Sequence, residues 1–209
     1  MIIISNPIGL PNEVETIHTL FEEGMELLHV RKPAFSEREM QIFLSTIAPE
    51  HRSKLVLHSH LHLAFEFDIK RIHFTEKNRN VISKFYSRYK KSFEYSFSDF
   101  KTDGFTVSTS THSIEEFNTI DSSFEYAFLS PVFPSISKED YSAKSNLLEE
   151  IKKRTNFDTK LIALGGIQFD TIAKVVNQGF DDYALLGAIW NNTNVLENFK
   201  TCQQIVHSY

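Results

Sequence analysis

The sequence predicts an α/β fold of the closed (β/α)8 TIM-barrel class. Eight short apolar runs alternate with amphipathic stretches along the whole chain. The runs are apolar on both faces, as strands of a parallel sheet covered all round must be. A length of 209 residues is close to the least that eight strand and helix units need. A doubly wound open sheet would show the same alternation, because periodicity reports elements and not closure. Residues 1–209 read as one domain, with 41% apolar content and 19 phenylalanines to fill its core.

The first strand is "IIIS" (2–5). Pro11 opens a helix in which Val14, Ile17, Leu20 and Phe21 recur at helical spacing, and Gly24 closes it. "ELLHVR" (26–31) is strand two. Ser36 and Glu39 then form a capping-box pattern ahead of a helix carrying Met40, Phe43, Leu44 and Ile47. "KLVLH" (54–58) and "RIHF" (71–74) are strands three and four, with a short helix between them at 61–67. A helix is expected over 79–90 and strand five at "FTVST" (105–109), while 91–104 shows no clear period. Ser113 caps the next helix, "YAFLS" (126–130) is strand six, and "NLLEEIKKR" is helical. "KLIALG" (160–165) is strand seven, "DTIAKVVNQG" a helix, "YALLG" (183–187) strand eight and "VLENFKTCQQIVH" the closing helix.

Composition removes several function classes. A net charge of −5 without an extended basic run lacks the electrostatic footprint of a nucleic-acid binder. One cysteine, Cys202, excludes an internal disulfide and a thiolate zinc cluster, and reads as a small buried hydrophobe on the last helix. Met1 leads directly into a strand, with neither a signal peptide nor a membrane span, so a cytoplasmic protein is expected.

A barrel of this kind builds its site from C-terminal strand ends and the loops after them. Those positions hold Ser5, Arg31, Lys32, His58, Ser59, the stretch from His73 to Asn78, Ser108 to Thr111, and "SPVFPSISK" (130–138). They end with Gly165, Gly166 and Ile167 after strand seven and Leu186 to Ile189 after strand eight. "LGGI" and "LGAI" put glycines where backbone amides can approach an anion, and Ala188 and Ile189 open a short extra helix, so the pair reads as a phosphate cradle. Ser135, Ser137 and Lys138 add hydroxyl donors and a cation suited to a second anionic group such as pyrophosphate. "HSHLH" (58–62) has the look of a metal box, but His60 and His62 fall on helical spacing and point apart, leaving His58 alone at a strand end. His73 lies inside a strand, where a satisfied core histidine is the plainer reading.

The chain resembles the thiamin phosphate synthase family and its thiazole tautomerase relatives. "SPVFPSISK" (130–138) is similar to the family's Gly-Pro-aromatic-Pro-Thr-x-Thr-Lys loop, and "STHSIEE" (110–116) to its Ser-x-His-Thr-x-x-Glu segment. "IALGGI" (162–167) is similar to its Ala-Ile-Gly-Gly-Ile strand and "LLHVRK" (27–32) to its Gln-x-Arg strand. The resemblance implies a transferase that joins a hydroxymethylpyrimidine diphosphate to a thiazole phosphate and releases pyrophosphate with Mg2+. It implies that Arg31, Ser110 and Lys138 hold the diphosphate, while Ser135, Ser137, Gly166, Leu186 and Gly187 hold the thiazole phosphate. Small phosphorylated substrates are the partners it implies, and a homodimer is left open.

The departures concern the metal. The family's Asn-Asp after strand three appears here as His58 and Ser59, and its Gln-Glu-Asp after strand four as Glu76, Lys77 and Asn78. Glu76 or Asn78 is left as the candidate ligand, which is thin for a hard cation. The lysine expected beyond Arg31 appears as Pro33, with Lys32 beside it to compensate. Two further readings follow: a metal-free tautomerase-like isomerase and a non-catalytic barrel that binds thiamin phosphate. The tautomerases carry a histidine at the position of Pro131, so in the isomerase reading His58 takes over proton transfer.

Overall fold

A computed structural model describes residues 1–79, 97–134, 146–191 and 194–207. Eight parallel strands close in sequence order, β1 (Ile2–Ile4), β2 (Leu28–Val30), β3 (Leu55–Leu57), β4 (Arg71–Phe74), β5 (Thr106–Thr111), β6 (Phe124–Leu129), β7 (Lys160–Leu164) and β8 (Asp182–Leu185). β8 returns to β1 with Ala184 opposite Ile2 and Leu185 opposite Ile3, which distinguishes the barrel from the open sheet. All eight expected strands are present. Most are shorter than the apolar runs suggest, because closure needs only a short hydrogen-bonded girdle and the remaining apolar residues cover helices.

Side chains alternate between two cores, as strand geometry requires. Ile3, Leu28, Val30, Leu55, Leu57, Ile72, Phe74, Val107, Leu161 and Leu185 face outward and join the helices in the larger core. Ile2, Ile4, Tyr126, Phe128, Ile162 and Ala184 face inward. These six belong to β1, β6, β7 and β8, so one side of the interior is largely apolar. The other side carries His29, His58, His73 and Ser108, all buried.

The helices follow their local signals. α1 (Glu13–Glu22) buries Ile17, Leu20 and Phe21, and Gly24 at φ +96° ends it in the left-handed conformation that glycine adopts without strain. It starts two residues after Pro11. α2 (Glu37–Thr46) has the expected capping box, with Ser36 Oγ accepting from Glu39 N and the Glu39 carboxylate accepting from Ser36 N. After β3 comes α3 (Leu63–Glu66), and after β4 comes α4 (Glu76–Arg79); the rest of the helix expected over 79–90 lies outside the described residues.

Part of the stretch without a clear period is α5 (Phe97–Thr102). Its Phe100 packs edge-on against Phe74 and Phe105 at 5.3 and 6.0 Å between ring centroids, so burial holds a six-residue helix that propensity alone would not. α6 (Ile114–Asn118) is capped by Ser113 as expected. α7 (Leu147–Glu150), α8 (Ile172–Asn177), α9 (Gly187–Trp190) and α10 (Val195–His207) complete the ring, and α9 is the short extra helix after β8. Trp190 Nε1 donates to Ile4 O at 2.7 Å and ties α9 to β1. Cys202 is fully buried, and burial pushes its thiol up to about 12, as befits a packing residue. No helix among the described residues is long and apolar enough to cross a membrane.

Lys32 is not at the rim. Its side chain has no exposure, its Nζ contacts Glu13 Oε2 at 2.5 Å, and it also donates to Ile8 O at 3.1 Å. Phe35 and Phe43 lie 5.4 and 5.2 Å below the ammonium. Burial lowers its pKa, opposed by the hydrogen bond and charge of Glu13. Because removing one partner strands a buried charge, Glu13→Gln should cost about 3–5 kcal/mol in urea unfolding, whereas Glu13→Leu with Lys32→Met should restore most of it. An equal loss in the double variant would refute the pairing.

Candidate functional site

The interior histidines arise from strand register. His29 on β2 lies opposite Ile4 on one side and Val56 on the other, and His73 on β4 lies opposite Ser108 on β5. His58 follows β3 directly, its N–H donating to Val30 O at 3.3 Å. Three neighbouring strands therefore aim imidazoles at one region. His29 Nδ1 and His58 Nε2 are 2.7 Å apart, and His29 Nε2 is 2.7 Å from Tyr126 Oη. His73 Nδ1 meets Ser108 Oγ and its Nε2 meets Ser110 Oγ, both at 2.9 Å. The rings of His58 and His73 stack at 4.2 Å.

Burial is the main reason all three imidazoles are held neutral, and their mutual repulsion adds to it at His29 and His58. Arg31 lies close enough for its charge to lower His58 and His73 further, and Arg79 acts likewise on His73, whose pKa falls to about 3. Tyr126 is pushed the other way by burial and keeps its proton.

Among the mouth cations the described residues divide sharply. Lys32 is committed to Glu13, and Arg79 pairs with Glu116, whose other oxygen accepts from His112 N at 2.8 Å. That double contact explains the glutamate of "STHSIEE", which fixes the loop after β5, while the His112 imidazole meets Ser130 O at 2.9 Å through Nδ1. The Arg31 guanidinium has no ion pair or hydrogen bond among the described residues, and its backbone is fixed by Ser5 Oγ accepting from Arg31 N at 2.9 Å. Ser59 Oγ is buried without a hydrogen-bond partner.

Gly165 and Gly166 follow β7, and Leu186 and Gly187 follow β8, its neighbour in the sheet, so both turns stand at the C-terminal rim side by side. The glycines have a second purpose that motif reading did not supply. The segment after β6 lies on them, with Val132 N donating to Leu164 O at 3.0 Å and Phe133 N to Gly165 O at 3.1 Å. A Cβ on Gly165 would stand 2.9 Å from Pro131, and one on Gly166 would stand 2.6 Å from Pro134 O. The Ser130–Pro131 peptide is cis. Ser135, Ser137 and Lys138 lie outside the described residues.

Glu76 and Asn78 are exposed on α4; Glu76 Oε2 is 3.8 Å from His112 Nε2. Among the described residues, the only cluster of three histidine, cysteine or carboxylate side chains within ligating reach is His29, His58 and His73. His60 and His62 do not join it, contacting Phe35 O at 2.9 Å and Glu37 at 3.2 Å. Sequence reading missed His29, Tyr126 and Arg79. The signal was present for His29, two residues before Arg31 and hence on the same strand face.

The fold is a (β/α)8 barrel with two glycine turns side by side at its C-terminal rim, and comparisons narrow the class. Residues 96–189 match the family model described as thiamine monophosphate synthase. A curated thiamine-phosphate synthase of Dictyoglomus turgidum is 20% identical over 207 residues, covering 97% of this chain and 86% of that protein. The crystal structure of a Bacteroides thetaiotaomicron thiamine phosphate pyrophosphorylase superposes with a TM-score of 0.73 at 27% identity, over 99% of this chain and 97% of that one. A Pyrococcus furiosus thiamine phosphate pyrophosphorylase shares the fold, with a TM-score of 0.76 at 19% identity over 99% and 95% of the two chains. The chain is thus similar to the thiamine monophosphate synthase family over residues 96–189 and to thiamine-phosphate synthases over nearly its whole length.

Two outcomes follow. The unfolded chain protonates its histidines near their ordinary value of about 6.5, well before the folded chain does. Stability should therefore be complete above that pH and fall below it, by about 1.4 kcal/mol per pH unit from His73 alone down to its folded value of about 3, with His29 and His58 adding in the same sense. Urea unfolding between pH 7.5 and 5 reads this slope, and His73→Asn should flatten it. Separately, Gly166→Ala should lower the melting temperature more than Gly179→Ala: both glycines have positive φ, but only at Gly166 does the new methyl meet backbone.

Proposed function

We propose that the chain is a transferase of thiamin biosynthesis that joins a hydroxymethylpyrimidine diphosphate to a thiazole phosphate and releases pyrophosphate. Arg31 at the mouth carries this reading: its guanidinium has no ion pair or hydrogen bond among the described residues, whereas Lys32 and Arg79 nearby are paired. The near-complete coverage of thiamine-phosphate synthase relatives supports the same activity. It also supports a cytoplasmic setting with small phosphorylated molecules as partners.

In the reaction the bond between the pyrimidine methylene carbon and the diphosphate oxygen breaks, and the thiazole nitrogen then supplies the electron pair that forms the new C–N bond. Negative charge grows on the departing pyrophosphate, and the protein's task is to hold it. Arg31, Ser110 and Lys138 take that part, with Ser110 Oγ able to donate once it leaves His73 Nε2. The turns at Gly166 and Gly187 offer amides to the thiazole phosphate, and Ser135 and Ser137 supply the hydroxyls that the family resemblance implies. The apolar side of the interior, Ile4, Phe128, Ile162 and Leu186, accommodates the heterocycles and keeps water from the carbocation.

Mg2+ requires hard oxygen ligands in octahedral array. The described residues at the matching positions give neutral imidazole, a serine hydroxyl and exposed Glu76 and Asn78, and they do not fit that ion.

Purified protein given both substrates should release pyrophosphate, and Arg31→Ala should slow that release by about 100-fold, the scale of losing a transition-state charge contact. Lys138→Ala should act in the same direction. No pyrophosphate above the enzyme-free blank, with and without added divalent ions, would overturn the reading.

A further inference from the structure

The transfer chemistry uses none of the three buried imidazoles, yet they form the only ligand cluster of their kind among the described residues. One ring nitrogen from each of His29, His58 and His73 lies within 4.8 Å of the other two. A tetrahedral ion with nitrogen ligands at 2.0–2.1 Å needs those nitrogens about 3.3 Å apart. The closest pair, at 2.7 Å, has to open and the widest to close, each by amounts that small ring tilts supply. We propose that His29, His58 and His73 form a three-imidazole site for a borderline divalent transition-metal ion such as Zn2+, inside the barrel beside β2, β3 and β4.

The surrounding groups already orient two of the three rings for this. A neutral imidazole has one N–H and one lone pair, so a ligating ring is held in place where its remaining N–H finds an acceptor. His29 can donate Nε2–H to Tyr126 Oη while presenting Nδ1. His73 can donate Nδ1–H to Ser108 Oγ, which donates in turn to Ile72 O at 3.4 Å. Tyr126 also hydrogen-bonds Ser108, whose single proton and two lone pairs are then all engaged. His58 Nδ1 has no partner among the described residues, so His58 can keep its proton there and present Nε2. All three lone pairs go to the ion and no proton leaves. Imidazole suits Zn2+, Co2+ or Ni2+ and is a poor ligand for Mg2+. Three protein ligands leave a fourth position for water or a ligand oxygen, as in open zinc sites.

The site is independent of the transfer reading and is tested without turnover. The full chain, stripped with EDTA and dialysed, is titrated with Zn2+ by calorimetry and with Co2+ by visible absorption. One ion per chain with the intense absorption of tetrahedral Co2+ is expected. His29→Gln and His58→Asn, which replace each imidazole with a hydrogen-bonding amide, should each weaken binding by more than the roughly 10- to 100-fold that loss of an outer-shell partner costs. Tyr126→Phe keeps all three ligands and should fall within that 10- to 100-fold range, which covers the case in which an imidazole variant fails to fold. Absence of one-to-one binding by the parent chain, or undiminished binding in the His29→Gln, His58→Asn double variant, would overturn the proposal.

Discussion

The pairing of β8 with β1 governs everything else in this molecule. Once the sheet closes, every second strand residue has only the interior to occupy, and the interior is too small for the choice to be loose. β1, β6, β7 and β8 fill their share with Ile2, Ile4, Tyr126, Phe128, Ile162 and Ala184. β2, β4 and β5 contribute imidazoles and hydroxyls, and β3 contributes Val56 followed by His58. An apolar wall thus faces a polar wall, and inward polar groups pair with neighbouring strands or across the barrel, as Tyr126 of the apolar side holds His29.

Closure also sets the rim. Parallel strands end together, so the β7 and β8 turns are neighbours and the segment after β6 has to pass over the first of them. Gly165 and Gly166 satisfy two demands at once: they let Pro131, Phe133 and Pro134 come within contact, and they leave the local backbone amides uncovered by side chains. A glycine pair in such a motif is therefore evidence of close backbone approach before it is evidence of phosphate.

Much of this was legible in the sequence. The eight strands, the Ser36–Glu39 capping box, the Ser113 cap and the α10 boundaries depend on neighbours within a few residues, and local signals reported them. What local signals do not carry is pairing across the barrel. Lys32 looked like a rim cation because its partner Glu13 is 19 residues away on another element. His73 could be read as a core histidine or a site residue, and the structure makes it both buried and linked to Ser110 at the rim. His29 was overlooked because a histidine in an apolar strand draws no notice until its register against His58 is known. α5 was obscure for a different reason, since Phe100 earns its helix through contacts with Phe74 and Phe105.

Replacing carboxylates with imidazoles changes the electrostatics of the mouth as well as its ligands. A carboxylate near Arg31 would neutralise it and would need a cation to admit a diphosphate. Neutral imidazoles do neither, so the potential set by Arg31 reaches an incoming anion undiminished. The same charge that attracts the anion opposes protonation of His58 and His73, and burial opposes it more strongly still. Anion affinity and imidazole neutrality are in this way two consequences of one arrangement: a guanidinium unpaired among the described residues, held beside a dry, uncharged polar wall.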